Sequence, residues 1–527
     1  MFEDDALLVV NKPAGLNTHA PSPYASEGIY DWLRHREPRW ASLAIIHRLD
    51  KETSGVLVFT KTPEANRSLT RQFTDRAVRK KYLLLVDRPV AKRAFTVQSH
   101  LVRLGERSIS RPGSSGQFAE TAFRVVENRG ATRTILAAEP RTGRTHQIRV
   151  HAAEEGLPIL GDTLYGGEAW ARLCLHAAEV TLAHPETGRE MTFAAPAEFD
   201  QDIHIALREA LWSDRLTNCY RLHHGASDGN PGWYADRVGS YLLSSSNEDE
   251  WPAGRARAQL ERWMRHFQLV GVYHKRLRRE PGQTVASAAS PRHILGPTIR
   301  DGPQVVENGL RYQLSFQEGY SIGLFLDQRE NRRRLLTRHV AAGFPLVAEP
   351  GSAAPEVLNT FAYTCAFSVS AAAAGCRTTS LDLSRRYLDW GRRNFACNGL
   401  AADAHEFVYG DALDWMHRFG RKGRRFQVVI LDPPTFSRSK EGGAFRVEKD
   451  YPHLASLAVS LLADGGVLFA STNAATVPTE WFVTMLKEVI SSARRQLLAQ
   501  HYAPQPPDFP MSRQEPSYLK TVWLRVA

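Results

Sequence analysis

The sequence is poor in cysteine and has no long hydrophobic run. Its five cysteines among 527 residues form neither a CxxC pair nor a Cys/His cluster with zinc spacing, so neither a disulfide framework nor a metal site is indicated. No apolar run reaches the roughly 18 residues of a membrane-spanning helix. The first residues, MFEDDALLVV, begin acidic where a signal peptide begins basic, so we expect a cytoplasmic protein.

Positive charge, by contrast, is in surplus. The formal net charge is +11 and the isoelectric point is about 9.5, which favours polyanionic partners, with nucleic acid first and an anionic membrane second. The hydrophobic share of 43% and the charged share of 23% are ordinary for a globular protein. A chain of this length exceeds what one hydrophobic core serves, so we expect roughly three or four domains.

The pattern of the sequence divides the chain into three zones. Residues 1–200 mix strands and helices and end in a predicted β-hairpin, whereas residues 201–305 carry turn signals and a basic segment, HKRLRRE. Residues 306–527 alternate apolar strands (EVLNTF, RTTSLDL, FQVVILD, GGVLFAST) with helices, as a doubly wound α/β domain does. The predicted fold class is therefore multidomain, combining α/β and α+β architecture.

The stretch HRLDKETSG, from His47 to Gly55, lies between two short apolar stretches and predicts a strand, a tight loop and a strand. Asp50 stands in this loop between Arg48 and Lys51. A carboxylate beside basic residues is most often a surface pair of little energetic weight. Whether this one is a catalyst depends on the other polar clusters of the same zone.

Two such clusters are KKYLLLV, at 80–86, and EPRTGRTHQIRVHAAEEGLPILGDTLYG, at 139–166. In the second, Thr145 is the predicted N-cap of a helix that Gly156 ends, and Arg149 lies one turn inside that helix. Together with VVNKPAGLNTH, at 9–19, these segments resemble the RluA/RluD-type pseudouridine synthases over residues 5–195. The resemblance implies a mixed-sheet synthase fold and the conversion of uridine to pseudouridine without a cofactor.

The resemblance also implies roles for four side chains. Asp50 would be the nucleophile, and Tyr82 would pack against the target base and remove the proton from carbon 5. Arg149 would pair with the catalytic carboxylate and keep it ionised, and Arg48 would fill the gap left by the flipped uridine. Taken singly, such residues are more often a solvated loop carboxylate, a core aromatic and solvent-facing arginines. The histidines of these motifs, His47, His146 and His151, are expected to be structural.

The third zone places acidic residues where predicted strands end. The strand in TTSLDLS ends at Asp382, which could accept both hydroxyls of a ribose; YGDALDW contains Asp411, and VVILDPPTFSRSK contains Asp432. Ligands of doubly wound sheets gather at the carboxyl ends of the strands. A dinucleotide-binding dehydrogenase is disfavoured because the first turn lacks GxGxxG and because Asp-Pro-Pro has no role in such an enzyme.

From GLFLDQRENRR at Gly323 to EPSYLK at Glu515, the chain resembles the S-adenosylmethionine-dependent RNA methyltransferases of the RlmI and RlmK kind. The middle zone resembles the small α+β domain that precedes the catalytic domain in the RlmI group. The resemblance implies that S-adenosylmethionine is held by Phe361, Thr364, Asp382, Asp411 and Asp432, with Asp327, Gln328 and Arg329 nearby. It also implies that the target base is bordered by Pro433, Pro434 and Phe436.

The sequence departs from this family at two places. Cys365 and Ala366 stand in the first turn where glycine or serine is common, which affects the room for the methionine part of the cofactor. A cytosine-5 methyltransferase needs a cysteine thiolate, yet the corresponding place reads Ser471-Thr472-Asn473 and no cysteine follows Cys397. Methylation of a purine nitrogen is therefore favoured, with guanine nitrogen 7 first.

The sequence thus predicts a cytoplasmic, bifunctional RNA-modification enzyme that acts on large-subunit ribosomal RNA and needs neither a metal nor a membrane. One alternative is an active synthase whose methyltransferase-like half is a degenerate RNA-binding module. Another is a synthase that acts on transfer RNA, with the second half positioning the substrate. The sequence gives no indication of the oligomeric state.

Overall fold

The computed structural model describes residues 1–111, 115–130, 132–247, 254–277, 290–319, 321–347, 354–434, 438–439, 443–444 and 446–527. Their contacts define two compact units. The first comprises Met1–Pro21, Glu27–Arg34 and Ser42–Leu211, and the second comprises Ser22–Ser26, His35–Ala41 and Trp212–Ala527. Within the described ranges, no helix is both long enough and apolar enough to cross a membrane.

The first unit is built on an eleven-stranded mixed sheet. Its strands are β1 (Phe2–Glu3), β2 (Leu7–Lys12), β3 (Ala44–Ile45), β4 (Ser54–Thr60), β5 (Arg79–Val86), β6 (Ala94–Leu104), β7 (Arg107–Arg111), β8 (Gln117–Arg129), β9 (Arg133–Pro140), β10 (Leu175–Ala183) and β11 (Glu190–Ala194). The helices up to Leu211 are α1 (Ile29–Arg36), α2 (Pro63–Thr74), α3 (Gln147–Glu154) and α4 (Ile203–Leu211). The predicted strand–loop–strand around Asp50 and the predicted closing hairpin, β10–β11, are both confirmed.

The strand order in this sheet is β1-β2-β4-β10-β5-β9-β8-β6-β7, with β3 beside β4 and β11 beside β10. Strand β10 runs parallel to β4 and antiparallel to β5, so the start of β4, at Ser54 and Gly55, lies level with Leu83 and Tyr82 in the middle of β5. A buried apolar cluster that includes Leu84, Leu136 and Ile148 packs α3 against the sheet. This packing fixes three separate segments of the chain around one face, where the candidate site lies.

The second unit contains two larger sheets. A five-stranded sheet, in the order β12-β13-β14-β15-β16, is formed by β12 (Cys219–His224), β13 (Trp233–Val238), β14 (Tyr241–Ser246), β15 (Gly271–Arg276) and β16 (Arg292–Leu295). It is the sheet of the predicted small α+β domain, and α5 (Arg255–His266) connects β14 to β15. Contacts place this sheet in the same compact unit as the third zone, so the predicted boundary near residue 305 is not a break between units.

The second, seven-stranded sheet has the order β23-β22-β21-β24-β27-β29-β28. The remaining strands of the unit are β17 (Gln304–Glu307), β18 (Leu310–Gln313), β19 (His339–Ala341), β20 (Phe344–Pro345), β21 (Glu356–Thr360), β22 (Arg377–Asp382), β23 (Glu406–Tyr409), β24 (Phe426–Leu431), β25 (Arg438–Ser439), β26 (Gly443–Ala444), β27 (Leu462–Thr472), β28 (Leu497–Tyr502) and β29 (Lys520–Val526). Its helices are α6 (Arg329–Leu336), α7 (Ala366–Ala373), α8 (Arg385–Cys397), α9 (Ala412–Arg421), α10 (Val447–Leu461) and α11 (Thr479–Ser492).

This sheet is doubly wound, as predicted. Strands β21, β22, β23, β24 and β27 run parallel to one another, whereas β29 is antiparallel to both β27 and β28. In β24, Val429 and Leu431 belong to the apolar cluster on one face, and Val428 and Ile430 belong to the cluster on the other. Because successive strand residues point to opposite faces, an all-apolar strand is the pattern expected of a sheet covered on both sides.

Candidate active sites

In the first unit, a cleft of about 1400 Å³ opens on the loop between β3 and β4. Arg48, Asp50, Tyr82 and Arg149, the four side chains predicted to be catalytic, all line it. They come from the loop before β4, from strand β5 and from helix α3. Tertiary packing therefore brings together residues that lie far apart in the sequence.

The loop that carries Asp50 is fixed from behind. The Thr18 hydroxyl donates to the carbonyl of Leu49 at 2.8 Å and accepts from its N–H at 3.1 Å. Gly55 follows the loop with φ +119°, and a Cβ there would collide with the backbone of Ala177. Glycine is therefore required at this position both for its backbone conformation and for the close approach of β10.

A buried lysine holds the loop and the preceding turn together. The ammonium group of Lys12 donates to the carbonyls of Pro13, Leu16 and Lys51 at 2.9, 2.8 and 3.2 Å. Burial lowers the pKa of Lys12 to about 7, although the three carbonyls use all three donors of the charged form. Lys12 thus connects the NKPAG turn to the base of the Asp50 loop.

Asp50 is partly accessible, with a side chain that is 32% exposed. Nε2 of His146 lies 3.9 Å from its Oδ2. Neighbouring Arg48 is exposed and makes no ion pair or hydrogen bond with any described residue. The loop therefore presents one carboxylate and one unengaged guanidinium to the cleft.

Tyr82 lies in β5, opposite Ala177 of β10 and Ala138 of β9. Burial, together with the charge of Asp50, raises the pKa of Tyr82 well above its usual value. The side chain is consequently a neutral phenol at neutral pH. It can contact a base edge-on or face-on, but it cannot take a proton unless its own proton leaves first.

The rest of the cleft is mainly basic. Its cationic lining includes Arg76, Arg79, Lys80, Lys81, Arg103, Arg141 and Arg144. Such side chains supply contacts to phosphate groups that do not depend on sequence.

In the second unit, a pocket of about 340 Å³ lies at the carboxyl ends of the parallel strands. Its lining comprises Ser321, Phe325, Asp327, Gln328, Phe361, Tyr363, Leu381, Asp382, Leu383, Tyr387, Gly410, Asp411, Ala412, Asp432, Pro433, Pro434, Asn473 and Leu519. Four carboxylates are in this set, and among the described residues no lysine, arginine or histidine lines the pocket. The site therefore favours a ligand that carries positive charge.

The turn after β21 is unusual in its backbone. Phe361, Tyr363 and Cys365 adopt φ values of 55°, 49° and 60°, and each such non-glycine residue costs about 1–2 kcal/mol. Residues in this region mark sites where the surrounding structure imposes the conformation. Burial raises the pKa of the Cys365 thiol to about 12, so this cysteine is an inert packing residue.

Two carboxylates of the pocket are engaged by the backbone. Asp382 accepts from the N–H groups of Tyr363 and Ser384, both at 2.8 Å, and burial raises its pKa. Asp411 is the N-cap of α9 and accepts from the N–H of Leu413 at 2.9 Å. Each carboxylate is thereby fixed in orientation while retaining lone pairs for a ligand.

Asp432 and Asp327 form the opposite, more buried part of the lining. The Gln328 amide donates to Asp432 at 3.2 Å and to Ser471 at 2.8 Å, and the Tyr518 hydroxyl donates to Asp327 at 2.8 Å. Burial raises the pKa of Asp432 to about 6, with a smaller contribution from the charge of Asp327. Pro433 and Pro434 border the same part of the pocket, whereas Phe436 lies outside the described residues.

Two family models match this chain. Residues 6–154 match the model for RNA pseudouridylate synthase, and residues 289–525 match the model for S-adenosylmethionine-dependent methyltransferase. The chain thus joins a region similar to pseudouridine synthases, called the synthase domain below, to a region similar to S-adenosylmethionine-dependent methyltransferases, called the methyltransferase domain.

The synthase domain has curated relatives. Ribosomal large subunit pseudouridine synthase C of Yersinia pestis is 40% identical over 211 residues, which are 38% of this chain and 65% of the relative. The protein of the same name from Escherichia coli (strain K12) is 40% identical over 213 residues, 38% of this chain and 66% of the relative. This chain thus spans just under two thirds of the length of these relatives.

The chain also resembles a solved structure. The candidate methyltransferase SMU.776, complexed with SAH, is similar with a TM-score of 0.51 and 26% sequence identity. The similarity covers 66% of this chain and 87% of that chain.

Four predictions about single residues of these domains are corrected by the geometry. In the synthase domain, Arg149 does not pair directly with Asp50, because both of its hydrogen bonds, at 2.7 Å each, go to the carboxylate of Asp162. The Asp50 charge acts on this guanidinium only over a longer distance. The predicted N-cap, Thr145, is also replaced by its neighbour His146, whereas Gly156 ends the helix as predicted.

In the methyltransferase domain, Thr364 and Arg329 do not line the pocket. The Thr364 hydroxyl donates to the carbonyl of Gly323 at 2.6 Å and is buried beneath the first turn. Arg329 is fully buried, pairs with Asp508 and lies over the Trp212 ring at 3.9 Å. Its charge is therefore used to hold the core of the second unit.

Three residues at or behind the synthase cleft were not predicted from the sequence to act there. Asp162 and Tyr165 hold Arg149, the first by two hydrogen bonds and the second through its ring, 5.0 Å from the guanidinium carbon. His146 was expected to be structural but lies beside Asp50. Both Asp162 and Tyr165 lie in the segment GDTLYG, and no signal in the sequence distinguishes Asp162 from the nearer Glu154 and Glu155 as the partner of Arg149.

Proposed function

We propose that the synthase domain converts uridine to pseudouridine in RNA. Asp50 attacks carbon 1′ of the ribose as the bond to base nitrogen 1 breaks. The base turns over, carbon 5 bonds to carbon 1′ as Asp50 leaves, and the proton of carbon 5 is lost while nitrogen 1 gains one. The observation that supports this assignment is the partly exposed Asp50 in a cleft that also holds Tyr82 and the unengaged Arg48.

The other side chains of the cleft fit this proposal in specific ways. Because Tyr82 is a neutral phenol, we assign it to packing against the base. It could remove the proton of carbon 5 only if another group first accepted the phenolic proton. Arg48, which is exposed, fills the space of the flipped uridine, a step that costs a few kcal/mol of unstacking. The basic lining contacts the phosphate groups of the RNA.

The named relatives act on the large ribosomal subunit, and we infer the same RNA for this chain. The +11 net charge supports a polyanionic partner. We place the reaction in the cytoplasm, where the ribosomal RNA of bacteria is made.

We propose that the methyltransferase domain uses S-adenosylmethionine, which when bound supplies the methyl group as a sulfonium cation. The acidic pocket fits that positive charge. Asp382, held by two backbone N–H groups, would accept the ribose hydroxyls, and Phe361 and Tyr363 would line the cofactor from the left-handed turn.

For the methyl acceptor we propose guanine nitrogen 7. This nitrogen carries a lone pair and no hydrogen, so methylation needs no base and leaves the positive charge on the ring. Asp432 and Asp327 are placed where they can stabilise such a charge. Cytosine carbon 5 is disfavoured because Ser471 and Thr472 stand where a nucleophilic thiol is needed, and the buried thiol of Cys365 stays protonated.

One experiment tests both activities. Ribosomal and transfer RNA from cells with and without the gene are mapped at nucleotide resolution for pseudouridine. The same RNA is incubated with purified protein and labelled S-adenosylmethionine and digested for mass spectrometry, and binding of the cofactor to the protein is measured by calorimetry. We expect one or more pseudouridines in large-subunit RNA and label in 7-methylguanosine to depend on the protein. Pseudouridine only in transfer RNA would refute the ribosomal assignment, label in 5-methylcytidine would refute the purine acceptor, and absence of cofactor binding would indicate a degenerate RNA-binding module.

A further inference from the structure

His146 occupies a strained position next to the proposed nucleophile. It precedes α3 with φ 56° and ψ 17°, in the left-handed region. A non-glycine residue there is uncommon, although histidine is among the side chains enriched in it. Such strain persists where the surroundings impose it and is concentrated at functional sites, so the contacts of this imidazole indicate its role.

One ring nitrogen is anchored firmly. Nδ1 lies 2.8 Å from the hydroxyl of Tyr165. That hydroxyl also accepts from the backbone N–H of Ser108 at 2.8 Å and lies 3.1 Å from the Ser108 carbonyl, an alternative acceptor for its hydrogen. The Tyr165 ring packs under the Arg149 guanidinium at 5.0 Å. The imidazole therefore cannot rotate without breaking a contact that is itself held at three points.

The other ring nitrogen faces the catalytic loop. Nε2 lies 3.9 Å from Oδ2 of Asp50, and within the described ranges His146 is the one basic side chain at ion-pair distance from that carboxylate. A gap of this length is too long for a hydrogen bond, but catalytic hydrogen bonds are often long before substrate binds and tighten in the complex.

We propose that His146 is a positioning residue of the synthase site, which donates a hydrogen bond from Nε2 to Asp50 and holds one carboxylate oxygen aimed at carbon 1′. The proposal rests on the proposed pseudouridine synthase function. The Tyr165 hydroxyl has one hydrogen and two acceptors within reach, Nδ1 at 2.8 Å and the carbonyl of Ser108 at 3.1 Å. In the proposed arrangement this hydrogen goes to Nδ1, the nearer acceptor, so the single hydrogen of the neutral ring sits on Nε2. The same donor stabilises the carboxylate when it leaves carbon 1′.

The charges around the ring are consistent with a neutral donor. Burial lowers the pKa of His146, the carboxylates of Asp50, Asp162 and Glu52 oppose that shift, and Arg149 adds to it. At neutral pH the ring is therefore uncharged, and the anionic Asp50 beside Nε2 favours the tautomer with its hydrogen there.

The kinetic test uses the full-length protein and RNA substrate. His146→Asn keeps a residue that tolerates left-handed backbone and can still reach Tyr165, but it is too short to reach Asp50; His146→Gln is longer and can place an N–H near the position of Nε2. We expect kcat of the Asn variant to fall at least tenfold, while its KM for RNA stays within about twofold of the wild-type value. The acidic limb of its kcat–pH curve should move to higher pH, because Asp50 loses a hydrogen-bond donor. The Gln variant should recover most of the lost kcat. His100→Asn, a histidine of the same domain outside the cleft, is the matched control and should be unchanged.

More than half of wild-type kcat in His146→Asn, or an equal loss in the Asn and Gln variants, would overturn the positioning role. A second measurement is independent of activity. In full-length protein labelled with ¹⁵N-histidine, the signals absent from His146→Asn identify this ring, and we expect the Nε2–H tautomer at pH 7. The Nδ1–H tautomer or a cationic ring would overturn the proposal, even if the wild-type protein proved to form no pseudouridine and the proposed function failed.

Discussion

The buried ion pair between Arg149 and Asp162 gives the sharpest prediction about the synthase domain. Two hydrogen bonds of 2.7 Å join the side chains, which are 7% and 1% exposed. In Asp162→Ala the guanidinium stays buried without its partner, a change that typically costs about 3–5 kcal/mol. In the double variant Arg149→Met/Asp162→Leu both charges are gone, and we expect stability close to that of the wild type.

Hydrogen exchange with mass spectrometry on the full-length protein measures this locally. Since 1.4 kcal/mol is a factor of ten, amides of α3 and its neighbours should exchange roughly a hundredfold to several thousandfold faster in Asp162→Ala. Peptides of the methyltransferase domain serve as an internal reference. Glu64→Ala, which removes the exposed partner of Arg67 on α2, is the matched control and should leave protection unchanged.

Two outcomes would refute this reasoning. Unchanged protection of α3 in Asp162→Ala would mean that Arg149 finds another partner at no cost. Equal destabilisation of the single and double variants would mean that the contact matters for its shape rather than for its buried charge.

Three other predictions concern the two activities. Asp50→Asn should lower pseudouridine formation more than a hundredfold, about 2.7 kcal/mol of barrier, with RNA affinity retained; residual activity above one hundredth contradicts the nucleophile assignment. Asp382→Ala should abolish cofactor binding by calorimetry and spare pseudouridine formation, whereas loss of both activities in folded protein would indicate one composite site. Because the pKa of Asp432 is raised to about 6, its carboxylate ionises as pH rises through 6, so the preference for S-adenosylmethionine over S-adenosylhomocysteine should grow about tenfold from pH 5 to pH 7. Asp432→Asn should remove this pH dependence. If the preference of that variant for S-adenosylmethionine rose as steeply with pH, the role of Asp432 would be contradicted.

Much of the fold followed from periodicity in the sequence. The apolar runs FQVVILD and GGVLFAST gave β24 and β27 because a strand buried on both faces has no polar side to alternate with. The polar segment around Asp50 predicted a loop between two strands, and the glycine at position 156 predicted the end of α3. The carboxyl ends of the parallel strands then placed Asp382, Asp411 and Asp432 at one edge of the sheet.

The sequence by itself determined which residue types stand in the sites, because long motifs fix their order and spacing along the chain. Tertiary structure alone decided their partners. Along the sequence, Arg149 is thirteen residues from Asp162 and ninety-nine from Asp50. These separations do not predict which carboxylate the guanidinium can reach. That depends on how α3 packs on the sheet and on the side-chain rotamers this packing allows, as does the placement of His146 beside Asp50. Arg329 and Thr364 are buried in the core of the second unit for the same reason. Burial depends on three-dimensional contacts, and a linear motif does not encode these contacts.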